Sequence, residues 1–445
     1  MCATPHQAAT APAQVLQQAM QLHQAGRLDD AERLYQRLIA ANPRHADALH
    51  LSGLAHAQRR RFDEAARFIR RALALLPGEA LFHVNMGNVQ VELGLADEAL
   101  ASFRRAHELQ PDRPDVCNNL GVLLSRRGEV EAGERLLRRA MELAPEYIDA
   151  RNNLANHYLR HGQVHEALET CVQGQLIAPK NPTLRRILGV VYAGMGRNED
   201  AERLYRAWLA DEPDSIEAQF RLTACTQQGV PERAPDAYVA EAFDAFAESF
   251  DAKLASLSYR APQLVAEAVA AHAGAPAAAL EVIDAGCGTG LVGPLLRPWA
   301  RRIVGVDLST GMLAKAQQRG VYDELVAAEL VAFLRAQSRA SCELLVSADT
   351  LIYFGALEGF MAAARDVLQP GGLLVFTLES HSQDEQAPDY WLRNHGRYSH
   401  REGYVDTALR AAGLEPLEIR PVVLRTEALQ PVAGWLVSAR NGRSN

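Results

Sequence analysis

Small and apolar residues in the first half of the chain return at fixed positions every 34 residues. One set of small residues consists of Ala19, Gly53, Gly87, Gly121, Ala155 and Gly189. A second small residue is followed four positions later by a larger, mostly apolar one, in the pairs Ala31 and Tyr35, Ala65 and Ile69, Ala99 and Phe103, Gly133 and Leu137, Ala167 and Cys171, and Ala201 and Tyr205. Residues four apart lie on one face of an α-helix, so the pattern predicts repeated helices that pack closely.

A proline closes each of these 34-residue units. The prolines are Pro43, Pro77, Pro111, Pro145, Pro179 and Pro213. Proline lacks a backbone N–H and does not fit a helix interior, so each one predicts the end of a second helix. The period is that of the tetratricopeptide repeat. We therefore predict a tail over residues 1–11 and then an all-α superhelix over residues 12–229, with six repeats and a capping helix at Ile216–Gly229.

The second half of the chain has a different pattern, in which short apolar runs alternate with helical segments. The runs are Leu280–Asp284, Arg302–Val306, Leu325–Ala328, Leu344–Ser347 and Gly372–Leu378, followed by a predicted hairpin of Leu414–Leu424 and Gly434–Ala439. This alternation predicts an α/β, doubly wound, Rossmann-like sheet over residues 261–445, with ligands at the carboxyl ends of the strands. Residues 230–260 lose the repeat pattern at Pro231 and Pro235 and are predicted to form a linker and a helical lid.

Composition narrows the classes of protein that fit this plan. The net charge of −8 argues against a large basic surface for nucleic acid or anionic lipid. Six cysteines without a C-x-x-C pair argue against a zinc site or a disulfide framework, so no metal is expected. Without a basic, then apolar, leader or a run of roughly 20 apolar residues, we expect a cytoplasmic protein that does not span a membrane.

The first apolar run leads directly into a glycine-rich turn, in the sequence VIDAGCGTG. Gly286, Gly288 and Gly290 have the spacing G-x-G-x-G, which differs from the G-x-G-x-x-G of dinucleotide enzymes and from the phosphate-binding P-loop. Asp307 ends the second run, where a carboxylate can accept both hydroxyls of a ribose. Its alternative role is to cap the next helix, which Ser309 could equally do.

From about residue 280 to 440 the chain resembles the class I S-adenosylmethionine-dependent methyltransferases, because LIYFG and LQPGG follow the glycine turn as they do in that family. The resemblance implies S-adenosylmethionine as cofactor. It also implies cofactor contacts from Asp284, Gly286, Cys287, Gly288, Gly290, Asp307, Leu308, Met312, Glu329, Leu330 and Ser347. Glu329 stands where many relatives carry aspartate. In that family an aromatic helical stretch ahead of the core commonly covers the cofactor, and here it would use Tyr238 and Phe250.

Methyl transfer needs alignment and a dry pocket more than a nucleophilic side chain. Tyr353 or Tyr238 could steady a sulfonium through its ring, although Tyr353 is equally a pocket-wall residue. If the acceptor is a hydroxyl or an amine, His381 and His400 are candidate bases, and both could instead be ordinary surface histidines. The fourth run gives SADT and no N-P-P-Y-like clamp, which disfavours amino groups on bases or glutamine.

Three asparagines occupy one position of successive repeats, namely Asn85, Asn119 and Asn153. The array thereby resembles the repeats of O-linked N-acetylglucosamine transferases, in which such asparagines are implied to hold a peptide backbone. The alternative is that duplication copied solvated residues. Three functions remain open: methylation of a protein or carrier-bound acceptor recruited by the array, methylation of a small molecule with the array docking a complex, and a non-catalytic cofactor-binding scaffold.

Overall fold

The computed structural model describes residues 5–247, 250–381, 384, 386–427 and 430–442. The chain divides into two compact units. The first unit runs to Leu159 and includes His165–Leu184, whereas the second consists of Arg160–Val164 and the chain from Arg185 onward. Residues 1–4 of the predicted tail lie outside the described residues, and the first helix begins at Pro5.

Twelve helices follow one another along the repeats, two to each 34-residue repeat. Their bounds are α1 Pro5–Gln24, α2 Leu28–Ala41, α3 Ala46–Gln58, α4 Phe62–Leu75, α5 Ala80–Glu92, α6 Ala96–Leu109, α7 Pro114–Arg126, α8 Val130–Leu143, α9 Ile148–Arg160, α10 Val164–Ile177, α11 Pro182–Gly194 and α12 Asn198–Asp211. Each second helix ends two residues before the repeat's proline, because the residue before a proline avoids the helical conformation.

The small residues that recur every 34 positions let the two helices of a repeat approach each other closely. A Cβ atom added to Gly87 would lie 2.6 Å from the ring of Phe103, which is almost fully buried. Gly53 faces Ile69, and Gly121 faces Leu137, in the same way. The turn between the two helices of a repeat holds a left-handed glycine in five of the six repeats, while Arg60 takes this conformation in the second, with φ of 59°.

Besides α12 and most of α11, the second unit contains the remaining helices and all the strands of the described residues. The helices are α13 Ile216–Thr226, α14 Asp236–Phe246, α15 Phe250–Ser256, α16 Ala261–His272, α17 Gly293–Leu296, α18 Thr310–Arg319, α19 Leu330–Ala336, α20 Glu358–Val367 and α21 Glu402–Ala411. The strands are β1 Leu280–Ala285, β2 Ala300–Asp307, β3 Glu324–Ala327, β4 Cys342–Ser347, β5 Leu368–Ser380, β6 Tyr390–Leu392, β7 Tyr398–His400, β8 Leu414–Glu427 and β9 Gln430–Asn441.

The sheet is doubly wound around β1. Strands β3, β2, β1, β4 and β5 are parallel neighbours in that order. After β3 the chain crosses back to the other side of β1 to form β4, so the strand order reverses between β1 and β4. β9 runs antiparallel beside β5 and pairs with β8 as a hairpin. The end of β5 also pairs with β7 through Glu379 and Ser380. The prediction of a helical-repeat array followed by a Rossmann-like α/β domain is confirmed.

Successive residues of the central strands point to opposite faces of the sheet, and both faces are buried. Ile283 and Leu345 pack with helices α19, α20 and α21, whereas Val282 and Leu344 pack with α16 and α17. Burial on both sides explains why these strands read as unbroken apolar runs in the sequence.

Two features of the sheet differ from the predicted elements. β6 and β7 were not predicted, because a strand of three residues has too few positions to show an alternation. β5 begins at Leu368, four residues before the predicted run Gly372–Leu378; the pairing with β4 shifts register there, and Gly371 has φ of 82°. Within the described residues, no helix is long and apolar enough to cross a membrane.

Candidate functional site

A cavity of about 300 Å³ lies at the carboxyl ends of β1, β2 and β4 in the second unit. Its walls come from the glycine turn after β1, the end of β2, the segment after β4, helices α14 and α15, and the end of β8. Apolar side chains dominate the lining, and they include Phe243, Phe246, Phe250, Leu254 and Leu257. The cavity therefore sits where a doubly wound sheet binds its ligands.

The glycine turn forms a surface on which a ligand can approach the backbone. Gly286, Gly288 and Gly290 all have positive φ, at 77°, 55° and 84°. A side chain at Gly286 would collide with Thr350. At Gly288, by contrast, an added Cβ would meet no atom within 4 Å, and this residue lines the cavity. The space that a side chain would fill is thus open, as a cofactor in this cradle requires.

Asp307 lies opposite this turn at the end of β2. Its carboxylate accepts hydrogen bonds from the backbone N–H groups of Gly288, at 2.9 Å, and Ser309, at 2.9 Å. Burial raises the pKa of Asp307 in spite of these bonds. Ser309, in turn, caps α18 by accepting from Met312 N at 3.0 Å, so the capping role that was the alternative for Asp307 falls on Ser309.

Asp284 is the innermost carboxyl of the predicted set. Its side chain is fully buried at the end of β1, where Tyr322 donates a hydrogen bond to Oδ2 at 2.6 Å, while Oδ1 has no hydrogen-bond partner among the described residues. Burial raises the pKa of Asp284 to about 7, and the charge of Asp307 acts in the same direction. Asp284 does not line the cavity wall but lies directly behind the glycine turn.

The remaining predicted cofactor residues fall into two groups. Cys287, Leu308, Glu329 and Leu330 line the cavity, whereas Gly290, Met312 and Ser347 do not. Ser347 is buried and donates to Ala285 O at 2.8 Å, which ties β4 to β1. Glu329 caps α19 through Val331 N and Ala332 N and forms an ion pair with Arg233 at 3.0 Å.

Of the residues predicted for catalysis, only Tyr353 lines the cavity. Its ring packs edge-on against Phe243 with centroids 5.5 Å apart. His400 is fully buried away from the cavity, with Nε2 at 3.0 Å from Gly355 O, and burial lowers its pKa to about 4. His381 contacts Pro388 O through Nε2 at 2.9 Å and also lies outside the lining.

Helices α14 and α15 cover the cavity and are bonded to the segments that follow β1 and β2. Asp244 accepts from Ser309 Oγ at 2.5 Å and Gly311 N at 3.0 Å. Asp251 accepts from Thr289 Oγ1 at 2.5 Å and pairs with Arg319. Phe250 lines the cavity, while Tyr238 packs outside it against Phe220.

A group of five ionisable side chains was not predicted, and we name it the Arg425 cluster. Its members are Asp349, Glu379, Arg397, Arg425 and Glu427. All except Glu379 line the cavity. One signal was available in the sequence: Arg425 and Glu427 alternate along a strand that the apolar pattern ended at Leu424, and charged residues at alternate positions share one face.

The three asparagines of the array each bond to a polar side chain of the preceding repeat. Asn85 Nδ2 lies 2.8 Å from His50 Nε2, Asn119 Nδ2 donates to Asn88 Oδ1 at 2.9 Å, and Asn153 Nδ2 donates to Asn118 Oδ1 at 2.9 Å. All three side chains are half-buried, so they link neighbouring repeats and keep an accessible side.

Both halves of the chain match models of known protein families. Residues 283–376 match the family model of a methyltransferase domain, and residues 16–80, 84–148 and 131–187 match models of the tetratricopeptide repeat. Among solved structures, the type IV pilus biogenesis factor PilW is 20% identical, covers 48% of this chain and 98% of its own, and has a TM-score of 0.45.

Characterised relatives match the second half. Methyltransferase-like protein 27 of Homo sapiens is 31% identical over 185 residues, which are 40% of this chain and 71% of that protein. Malonyl-[acyl-carrier protein] O-methyltransferase of Yersinia pestis is 31% identical over 33% of this chain and 52% of its own length. Trans-aconitate 2-methyltransferase of Paracidovorax citrulli is 32% identical over 24% of this chain and 42% of its own. The chain thus spans about half or less of the last two proteins.

Proposed function

The chain belongs to the class I methyltransferases that carry tetratricopeptide repeats, and from this premise we propose that it transfers a methyl group from S-adenosylmethionine to an acceptor recruited by the repeats. The observation that carries the proposal is the open glycine cradle at Gly288 facing the carboxylate of Asp307. A backbone surface opposite a buried acid suits a ligand that combines a flexible charged chain with a ribose.

The residues of the cavity would hold the cofactor and keep water out. Gly286 and Gly288 present backbone to the ligand, Asp307 accepts hydroxyl hydrogens, and Leu308 and Leu330 supply apolar contacts. When bound, S-adenosylmethionine supplies a methyl group on a positively charged sulfonium. The aromatic rings of Tyr353 and Phe250 attract such a charge, and the apolar lining excludes water.

We assign the repeats to capture of a protein or carrier-bound acceptor. The in-register Asn85, Asn119 and Asn153 can donate to and accept from a peptide backbone without reading its side chains. A carrier-bound acceptor is supported by the relative named for malonyl-[acyl-carrier protein]. The second candidate, a small-molecule acceptor with the array docking a complex, is supported by the relative named for trans-aconitate.

Calorimetric titration with S-adenosylmethionine tests the cofactor assignment. We expect the full chain to bind, and Asp307→Ala to weaken binding about 100-fold, since hydrogen bonds to a charged group each contribute about 1.5–3 kcal/mol. Asp366→Asn, on the exposed face of α20, is the matched control and should bind as the parent does. Absence of binding by the parent chain would contradict the proposal and leave a helical scaffold.

Transfer of labelled methyl groups into a cell extract, followed by sizing of the product, separates the two acceptor classes. Label that elutes with macromolecules supports the recruited acceptor, and label confined to small molecules supports the second candidate. A chain that binds the cofactor but transfers no label would instead be the non-catalytic scaffold.

A further inference from the structure

Arg397 lines the cavity and has one donor nitrogen that the protein does not use. Its Nε donates to Glu379 at 2.6 Å, and its Nη2 donates to Glu427 at 2.8 Å. The third nitrogen, Nη1, has no hydrogen-bond partner among the described residues, and protein atoms do not enclose it. Since hydrogen bonds from a guanidinium to an anion are strong, an open Nη1 at the wall of a cavity suits an anionic ligand.

The other arginine of the Arg425 cluster offers less to a ligand. Arg425 is 3% exposed, and each of its three nitrogens faces a carboxylate: Nη1 donates to Asp349 at 2.5 Å, Nε to Glu427 at 2.7 Å, and Nη2 to Glu379. Asp349 Oδ1 has no hydrogen-bond partner among the described residues, but protein atoms enclose it. Arg397 therefore carries the guanidinium of this cluster that a ligand in the cavity can reach.

The hydroxyl of Tyr353 is a second donor beside Arg397. Tyr353 lines the cavity, and its hydroxyl has no hydrogen-bond partner among the described residues. Burial raises the pKa of Tyr353, so the hydroxyl keeps its proton and can donate it. The charge of Arg397 acts on that pKa in the opposite direction, because the two side chains lie near each other. One guanidinium nitrogen and one hydroxyl can together hold the two oxygens of a carboxylate.

The charges around Arg397 favour an anion of unit charge. Lys253 lines the same cavity, with its Nζ 4.4 Å from the centre of the Phe246 ring. Burial lowers the pKa of Lys253, and the like charge of Arg397 acts in the same direction. Lys253 and the two arginines thus lie near the three carboxyl groups of the Arg425 cluster. A phosphate brings nearly twice the negative charge of a carboxylate into these surroundings, so the carboxylate fits better.

The turn that carries Arg397 is held in place by helices α12 and α13. Asn394 Nδ2 donates to Asn198 Oδ1, at the start of α12, at 3.1 Å. Gln227, directly after α13, donates to Leu392 O at 2.7 Å. A side chain presented from a fixed turn loses less conformational freedom when it binds a ligand. These contacts therefore make Arg397 a preorganised donor.

We propose that the methyl acceptor carries a carboxylate, which Arg397 binds through Nη1 with the hydroxyl of Tyr353 as the second donor. The proposal rests on the proposed function and names its substrate class. The apolar lining formed by Phe250, Leu254 and Leu257 suits an apolar stem on that carboxylate. S-adenosylmethionine also has a carboxylate, and the experiment distinguishes the two sources of this group.

Benzoate and benzamide, which share size and shape and differ in charge, test the proposal on the full chain saturated with S-adenosylhomocysteine. We expect benzoate to bind at least tenfold more tightly than benzamide in an NMR titration, because the amide lacks the charge-assisted hydrogen bonds. Phenyl phosphate should bind no more tightly than benzoate. Equal binding of benzoate and benzamide, binding of neither, or a preference for phenyl phosphate overturns the proposal.

The variant Arg397→Gln should bind benzoate no more tightly than benzamide and keep its affinity for S-adenosylhomocysteine. Arg410→Gln, which changes an exposed arginine of α21, is the matched control and should alter neither. If Arg397→Gln loses S-adenosylhomocysteine as well, the guanidinium binds the carboxylate of the cofactor and the proposal is overturned.

Tyr353→Phe is the second variant, because it keeps the ring and every ion pair of the Arg425 cluster and removes one hydroxyl. It should weaken benzoate about threefold and leave benzamide unchanged; unchanged benzoate binding would contradict the role of the hydroxyl. Discrimination between the probes by the parent chain does not depend on whether a variant folds. A parent chain that fails to bind S-adenosylhomocysteine contradicts the proposed function, whereas one that binds it without preferring benzoate contradicts only the carboxylate acceptor.

Discussion

Asp284 and Asp349 are buried carboxyls that follow neighbouring strands, yet their electrostatic surroundings differ. Asp349 faces the guanidinium of Arg425, whereas Asp284 accepts a hydrogen bond from the hydroxyl of Tyr322 and lies near the like charge of Asp307. Burial raises the pKa of both; the charge of Asp307 adds to this effect at Asp284, whereas the charge of Arg425 opposes it at Asp349. The free energy of unfolding therefore depends on pH through Asp284.

We predict that Asp284→Asn gains stability relative to the parent as pH rises, in the absence of ligand. The folded pKa of about 7 lies above the unfolded value of 3.8, so the folded carboxyl keeps a proton that the unfolded one loses. The parent thus loses stability between about pH 4 and 7, while the amide does not titrate. From pH 5 to 8 the difference should change by about 2–3 kcal/mol, or several degrees in the melting temperature. Thermal melts at both pH values measure it, with Asp366→Asn as control, and a pH-independent difference would contradict the prediction.

The residues that sequence patterns identified lie close together along the chain. The glycines and Asp307 belong to two adjacent segments, and each segment carries a recognisable local conformation. The Arg425 cluster assembles from the ends of β4, β5 and β8 and from the turn before β7, and Asp349 and Glu427 are 78 positions apart. No local pattern relates such residues, because their proximity is created by strand order.

At the scale of elements, α14 and α15 form one wall of the cavity. α14 keeps several apolar side chains toward the cavity, which a ligand must enter, and Phe246 is itself exposed. Asp244 and Asp251 fasten the two helices to the cap of α18 and to the glycine turn. These polar contacts bind the cover to the loops proposed to hold the cofactor.

We predict that Asp244→Asn and Asp251→Asn each speed dissociation of S-adenosylmethionine about tenfold, because each removes a charge-assisted hydrogen bond that closes the cover. Stopped-flow fluorescence or surface plasmon resonance measures the rate. Glu241→Gln, an exposed acid on α14, is the control and should leave the rate unchanged. Unaltered dissociation in both aspartate variants would show that these contacts do not hold the cover.

Elements whose apolar residues follow a clear sequence pattern were predictable, and very short elements were not. The repeat helices follow from a 34-residue pattern sustained six times, and β1, β2, β4 and β5 follow from runs buried on both faces. β6 and β7 exist only through pairing with one another and with the end of β5. Their residues carry no periodic signal, since tertiary contacts alone define them.

For the molecule as a whole, the proposed function makes the repeats and the cavity act on the same acceptor. We predict that the triple variant Asn85→Ala, Asn119→Ala and Asn153→Ala lowers labelled methyl transfer into macromolecules at least tenfold and leaves the affinity for S-adenosylmethionine unchanged. The three amides lie in register and keep an accessible side toward a bound chain.

Asn156→Ala, on α9 with Asn153 but exposed and outside that register, is the control. Circular dichroism melts check that the triple variant retains its helices, because each amide also bonds to a neighbouring repeat. Undiminished transfer in a folded triple variant would remove the amides from acceptor capture and favour a small-molecule acceptor.

Helix α13 packs both against the preceding repeat helix and against the strands β6 and β7. It packs against α12, as the last helix of the repeats, while Phe220 and Ala224 share a core with Leu392 and Tyr398 of the strands β6 and β7. Gln227 donates to Leu392 O at 2.7 Å in the same place. A recombination event that exchanged the repeats at residue 230 would remove Phe220 and Ala224 from the core that they share with Leu392 and Tyr398. We therefore expect functional recombination between the two halves to occur upstream of α13. Chimaeras joined there should express as folded protein, because α13 stays with the strands that it packs against.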